Sequence, residues 1–140
     1  MEQSVWLTVR GEQEYEGLER SCTELRTDGT LERTKDGFLL RYEETGESGA
    51  VTHTRLSVTP ESVTITRTGE VRAELRFAHG QVCTSVYALP FGAVPVEVET
   101  RELRWRLGAH GGLLDIRYRI VLGGQKGECA LRVRVQVREA

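Results

Sequence analysis

Apolar residues recur at every second position through nearly the whole chain, with charged or hydroxyl side chains between them. Phe38, Leu40 and Tyr42 fall two apart, so on an extended chain they share one face while Leu39, Arg41 and Glu43 share the other. Lys35-Asp36-Gly37 just before them predicts a hairpin turn, with Gly37 at positive φ and Asp36 bonded to its own backbone. Val5, Leu7 and Val9 alternate in the same way and predict the first strand. The polar run 11–20 reads as irregular. A second strand is expected at 21–33, where Asp28-Gly29 marks a bulge or sharp bend, and a third at 38–44.

Beyond the Gly46–Gly49 turn, residues 51–59 are rich in Thr and Val, as half-buried strands are. Strands follow at 63–68, at 71–78 with Val71, Ala73, Leu75 and Phe77 on one face, and at 82–89. Val94, Val96 and Val98 are even-numbered, whereas Leu103, Trp105 and Leu107 are odd. That slip of phase predicts a one-residue bulge near 100–102. Leu114, Ile116, Tyr118, Ile120 and Leu122 share one face, and Cys129, Leu131, Val133, Val135 and Val137 share another after the loop at 123–127. The expected core includes Phe38, Leu40, Tyr42, Leu75, Phe77, Ile116, Tyr118, Ile120, Val133 and Val135, with Leu39, Arg41, Arg117 and Arg134 outside.

Nine or ten strands, regularly spaced and separated by turn signals with no helical period, predict an all-β chain. Short turns make successive strands antiparallel neighbours. A meander this long tends to curl and close, which removes its edges. The expected architecture is therefore a single antiparallel up-and-down β-barrel of about 8–10 strands, one domain over residues 1–140. A chain of 140 residues needs neither disulfide nor metal to hold such a core.

Charge adds one asymmetry. Residues 1–49 carry twelve acidic and six basic side chains, and residues 50–140 carry nine and thirteen, so −6 and +4 sum to the net −2. Seventeen of the nineteen basic residues are Arg, which suits phosphate or carboxylate recognition but also reflects compositional habit. Arg104, Arg106, Arg117, Arg119, Arg132 and Arg134 alternate with core positions on three successive strands and would form a basic stripe. With Glu97, Glu99, Glu102 and Asp115 interleaved, that stripe reads either as an ordinary solvated face or as a surface for an anionic partner. Nucleic acid is not expected, because only Trp6 offers an exposed aromatic near it.

Little else in the chain suggests chemistry. Cys22, Cys83 and Cys129 are odd in number, contain no CxxC pair and read as reduced thiols. His53 falls on a solvated phase, and His79 and His110 fall in turns, so no metal site is expected. There is no GxSxG elbow, no P-loop and no GxGxxG, so no catalytic residue and no cofactor is expected. The chain shows no signal-peptide pattern and no run of twenty apolar residues, which points to a cytoplasmic protein without a membrane segment. Arg67 continues the inward phase of Val63 and Ile65, and Glu44 continues that of Phe38, Leu40 and Tyr42. Either the two charges pair at the barrel mouth, or Arg67 anchors an anionic ligand above a wall formed by Phe38, Tyr42, Phe77 and Tyr118.

The segments ELRTDGTLERTKDGFLLRYEET, VTITRTGEVRAELRF and LDIRYRIVLGG resemble the DUF1934, or YwiB-like, family of small bacterial β-barrel proteins. The resemblance spans essentially the whole chain and implies a calycin-like barrel, similar in shape to lipocalins and fatty-acid-binding proteins. It implies no established activity and brings no catalytic motif. The expectation is a non-enzymatic module whose barrel takes a small apolar or anionic ligand. The alternative is self-association, as a homodimer that pairs acidic and basic faces, or attraction of an anionic partner to the arginine face. An enzyme with its site in the barrel mouth stays open, with no residue set that speaks for it.

Overall fold

The alternating pattern becomes ten strands. The structure, a computed structural model, describes residues 2–69 and 72–138. The strands are β1 (Glu2–Tyr15), β2 (Ser21–Arg33), β3 (Phe38–Thr45), β4 (Val51–Val58), β5 (Ser62–Thr68), β6 (Ala73–Ala78), β7 (Val82–Leu89), β8 (Gly92–Gly108), β9 (Gly111–Leu122) and β10 (Gln125–Val137). Each pairs antiparallel with the next from β1 to β6 and from β7 to β10, and β10 closes onto β1 from Val5↔Val137 to Tyr15↔Gly127. Among the described residues there is no helix, hence none long and apolar enough to cross a membrane.

The barrel is nearly but not fully closed. No ladder joins β6 to β7 among the described residues. At one end of this seam Arg72 and Ala88 exchange two backbone hydrogen bonds of 3.0 and 2.8 Å. Thr100 holds the other end. The β8–β9 register shifts between Thr100 and Glu102, as the slip of phase predicts, and leaves Thr100 buried beside the β6–β7 turn. There its Oγ1 accepts from the Ala78 N–H, its carbonyl accepts from Gly80 and its own N–H donates to Gln81. The expectation that closure removes every edge is thus corrected: among the described residues the edges of β6 and β7 face each other with the Arg72–Ala88 pair between them and no ladder.

Inward positions follow the pleat. Leu40, Tyr42, Leu75, Phe77, Ile116, Ile120, Val133 and Val135 are buried, and Phe38 and Tyr118 are half-buried against them. Arg41, Arg117 and Arg134 face solvent, so the expected register holds. Fully burying a side chain such as Leu40 or Ile116 contributes about 1.5–3 kcal/mol, and this apolar interior is what makes the meander curl. Because strand direction alternates, the loops after β1, β3, β5, β7 and β9 gather at one end, and the remaining loops with both termini gather at the other. Trp105 closes the latter end: its Nε1 donates to the Thr59 carbonyl at 3.0 Å, and its ring meets Phe38 edge-on at 5.9 Å.

Three local expectations change. Residues 11–15 are not irregular, because their pairing with β2 and β10 carries β1 on to Tyr15. Gly37 does not take positive φ. It is needed because a Cβ there would run into the Val58 carbonyl, and Thr34, not Asp36, ties the turn by accepting the Gly37 N–H at 3.0 Å. At Gly29 there is no bulge, since the β1–β2 register runs unbroken from Glu2↔Glu32 to Gln13↔Ser21. The β2–β3 ladder instead ends at Gly29↔Tyr42, and β2 parts from β3 there. Val71, expected on an inward face, lies outside the described residues.

A Cβ at Gly29 would collide with the Arg41 carbonyl and approach Leu7 Cδ1 to 2.9 Å. Gly29→Ala is expected to destabilise the protein by about 1–3 kcal/mol in a urea titration. Gly108→Ala, with nothing within 4 Å of the added methyl, is expected to stay within about 0.5 kcal/mol of the parent.

Candidate functional site

Where β2 parts from β3, the barrel interior opens towards the end away from Trp105. A cavity of about 350 Å³ lies there, walled by Val9, Leu25, Ile65, Leu75, Phe77 and Leu131, with Gln13, Thr23, Glu44, Arg67, Tyr87 and Tyr118 as its polar inward groups. Its volume falls at the lower end of small-ligand sites, and its lining combines an apolar stretch with a polar one. Glu12 and Glu24 reach its rim from outward positions, each held by an arginine: Glu12 by Arg20 and Arg10, Glu24 by Arg26.

Arg67 and Glu44 meet as their phases predict. Their closest approach, Arg67 Nη2 to Glu44 Oε1, is 3.9 Å, an ion pair too long to be a hydrogen bond. Both side chains remain part-exposed, so the guanidinium keeps donors free to turn on a third group. Across the sheet Tyr42 pairs with Thr54 and Thr54 with Arg67, placing three polar inward side chains in one row. The Thr54 hydroxyl is buried without a hydrogen-bond partner among the described residues. Burial first, then the Glu44 carboxylate, raises the Tyr42 pKa, while Arg67 pulls it back.

On the far wall Phe77 meets Tyr118 edge-on with ring centroids 4.8 Å apart. Tyr118 pairs across the ladder with Cys129, and Tyr15 lies over Gly127. Burial raises the pKa of the Tyr15, Tyr87 and Tyr118 hydroxyls, Arg67 pulls that of Tyr87 back in part, and Cys129 adds to the rise in all three. Burial likewise pushes the Cys129 thiol up to about 11, with the Tyr118 hydroxyl offsetting part of the rise. The wall is thus neutral at physiological pH, and Cys129 lacks the thiolate that chemistry would need.

Those shifts fix a pH dependence. Cys129 loses its proton near 9 when unfolded but near 11 when folded, and the tyrosines behave alike from 10 upward. The folded state therefore binds more protons in this range. Stability is expected to be fully present below pH 9 and to fall as pH rises towards 11. Urea midpoints from pH 7 to 11 check this, and Cys129→Ala should flatten the fall between 9 and 10.

Of the residues singled out for a ligand, Arg67, Glu44, Phe77 and Tyr118 line this cavity and Tyr42 adjoins it. Phe38 does not, because it packs on Trp105 at the closed end. Tyr87 and Leu25 belong to the site but drew no notice in the sequence. Tyr87 shares the odd-numbered inward phase of β7 with Cys83 and Ser85, which was the available signal.

On the outer face, β8, β9 and β10 are neighbours, so Arg104, Arg106, Arg117, Arg119, Arg132 and Arg134 do stand on one surface. Much of their charge is answered: Arg104 and Arg117 share Glu102 at 2.7 and 3.7 Å, and Arg132 meets Asp115 at 3.1 Å. The Arg138 guanidinium stacks on the half-exposed Trp6, 4.2 Å from its ring. His53 is solvated and pairs with Glu43 at 3.1 Å. Among the described residues no group of three or more His, Cys, Asp or Glu side chains could hold a metal.

A family model described as a domain of unknown function, DUF1934, matches residues 7–133. The chain belongs to the DUF1934 family. The crystal structure of the ywiB protein from Bacillus subtilis is similar over 95% of this chain and 92% of that one, with a TM-score of 0.83 and 23% identity. At that identity the likeness carries the fold alone. No curated protein matches the chain.

Proposed function

We propose that this DUF1934 protein is a non-enzymatic binding module that takes a small, mostly apolar ligand with one anionic end into the barrel cavity. The observation that carries this reading is the loose Arg67–Glu44 pair, 3.9 Å apart, beside the apolar stretch Ile65, Leu75, Phe77 and Leu131 of a cavity of about 350 Å³. A carboxylate at Arg67 would accept two guanidinium hydrogen bonds in place of the long Glu44 contact. The rest of the ligand would lie on Ile65, Leu75, Phe77 and Leu131, with the neutral Tyr87 and Tyr118 hydroxyls as handles.

Charge-assisted hydrogen bonds to a buried anion are worth roughly 1.5–3 kcal/mol, which separates a carboxylate from an alcohol of the same length by about ten- to hundredfold. Decanoate and decanol, titrated by displacement of a fluorescent polyene acid, test this. Decanoate is expected to bind the tighter by that factor. Equal affinities would remove the anionic end from the proposal, and a lack of saturable binding by either would remove the ligand.

A further inference from the structure

The hydrogen-bonding pattern also opens along β2. On one side β1 pairs with it over its whole length, from Glu2↔Glu32 to Gln13↔Ser21, but on the other β3 pairs with it only from Gly29↔Tyr42 to Arg33↔Phe38. The backbone groups of residues 21–28 that point away from β1 therefore have no backbone partner among the described residues. Such an edge is ready to take on another strand, and proteins usually guard it with Lys, Pro, a bulge or an inward charge. Residues 21–28 have none of these: the β1–β2 register is unbroken, and the inward phase is Thr23, Leu25 and Thr27, with Leu25 packed on the core. On the outward phase Cys22, Glu24, Arg26 and Asp28 are exposed. Glu24 and Arg26 meet there at 3.1 Å, with the arginine side chain 81% exposed.

This edge is complementary to itself. An antiparallel strand of the same sequence, centred on Leu25, would set Thr23 opposite Thr27, Glu24 opposite Arg26 and Leu25 opposite Leu25, with each unlike pairing repeated by the two-fold axis. Paired hydroxyls and opposite charges are among the pairs that favour an antiparallel ladder, whereas like charges directly opposite oppose it. We infer that residues 21–28 are a self-association edge, to which a second copy of this chain adds its own β2 in antiparallel register about Leu25. The two Glu24 and two Arg26 side chains would then form a square of alternating charge across the dimer axis. A second copy fits better than an unrelated strand because Thr-Glu-Leu-Arg-Thr matches its own reverse in size and opposes it in charge. Such a dimer uses neither the arginine face of β8 to β10 nor a ligand in the cavity.

Sedimentation of the parent and of two charge-swapped variants gives the test. An edge this short buries less than a standard interface of about 1,600 Å², so the parent should be a concentration-dependent dimer with a Kd of about 10–100 µM. Glu24→Arg and Arg26→Glu each place like charges opposite each other twice and should weaken the dimer at least about tenfold. Mixed in equal amounts, the two variants regain every opposite-charge pair, so heterodimers should form with roughly the parent's affinity. A measurement that leaves both charges in place reads the register. In a Cys83→Ser protein, nitroxides on the exposed Cys22 of paired copies should lie roughly 20–30 Å apart, six residues along the ladder at about 3.4 Å each plus the label arms. A parent that stays monomeric at about 1 mM, some tenfold or more above that Kd, would overturn the inference and leave the edge to a strand of another protein. Dimers that both single variants retain, mixed variants that stay apart, or a Cys22 separation outside that range would overturn it as well, by placing the contact elsewhere.

Discussion

Replacing Phe77 by alanine is expected to destabilise the protein by about 3–5 kcal/mol, read from a guanidinium titration at neutral pH. Phe77 is fully buried and packs its ring edge-on against Tyr118 at 4.8 Å. Its removal takes away the transfer energy of the largest fully buried side chain and leaves Tyr118 without its partner. Because Phe77 already borders a cavity of about 350 Å³, the space left by the ring would join that cavity, and partial collapse would recover little. Phe77→Leu, which keeps an apolar branch in place, should return most of the loss. A cost under about 1 kcal/mol for Phe77→Ala would mean that this end of the barrel is not packed as described.

The second large effect is expected in binding. Arg67→Ala should weaken decanoate by about ten- to hundredfold, by the loss of about 1.4–2.8 kcal/mol, while decanol is unchanged. Arg67→Lys should recover only part, because an ammonium cannot make the paired hydrogen bonds of a guanidinium. Glu44→Gln separates the two roles of Arg67. With its 3.9 Å partner neutralised, Arg67 should hold decanoate more tightly, whereas if Glu44 merely positioned Arg67 the affinity would fall. Titrations of the three variants with both ligands decide the matter.

The strands were legible because their signal is local. Phe38, Leu40 and Tyr42 show the period directly, and the slip from Val98 to Leu103 marks the bulge at Thr100/Glu102. The meeting of Arg67 with Glu44 was legible for the same reason: each continues an inward phase, and β3, β4 and β5 are successive neighbours. Other features depend on how distant strands approach each other. Gly37 and Gly29 look like turn and bulge glycines, yet each yields to a carbonyl arriving from a neighbouring strand, Val58 and Arg41 respectively. The β6–β7 seam could not be read at all, since the short turn at 79–81 predicts an ordinary hairpin. Thr100, some twenty residues onward, takes the hydrogen bonds at that corner. Phe38 was assigned to the cavity wall because an alternating phase identifies the inner face but not the height along the barrel axis.

A crystal structure of the protein grown with decanoate tests the central claim most directly. It is expected to show the carboxylate within hydrogen-bond distance of Arg67, with the alkyl chain on Ile65, Leu75 and Phe77. Arg67 closed onto Glu44 at hydrogen-bond distance, above an interior filled by side chains and without ligand, would contradict it.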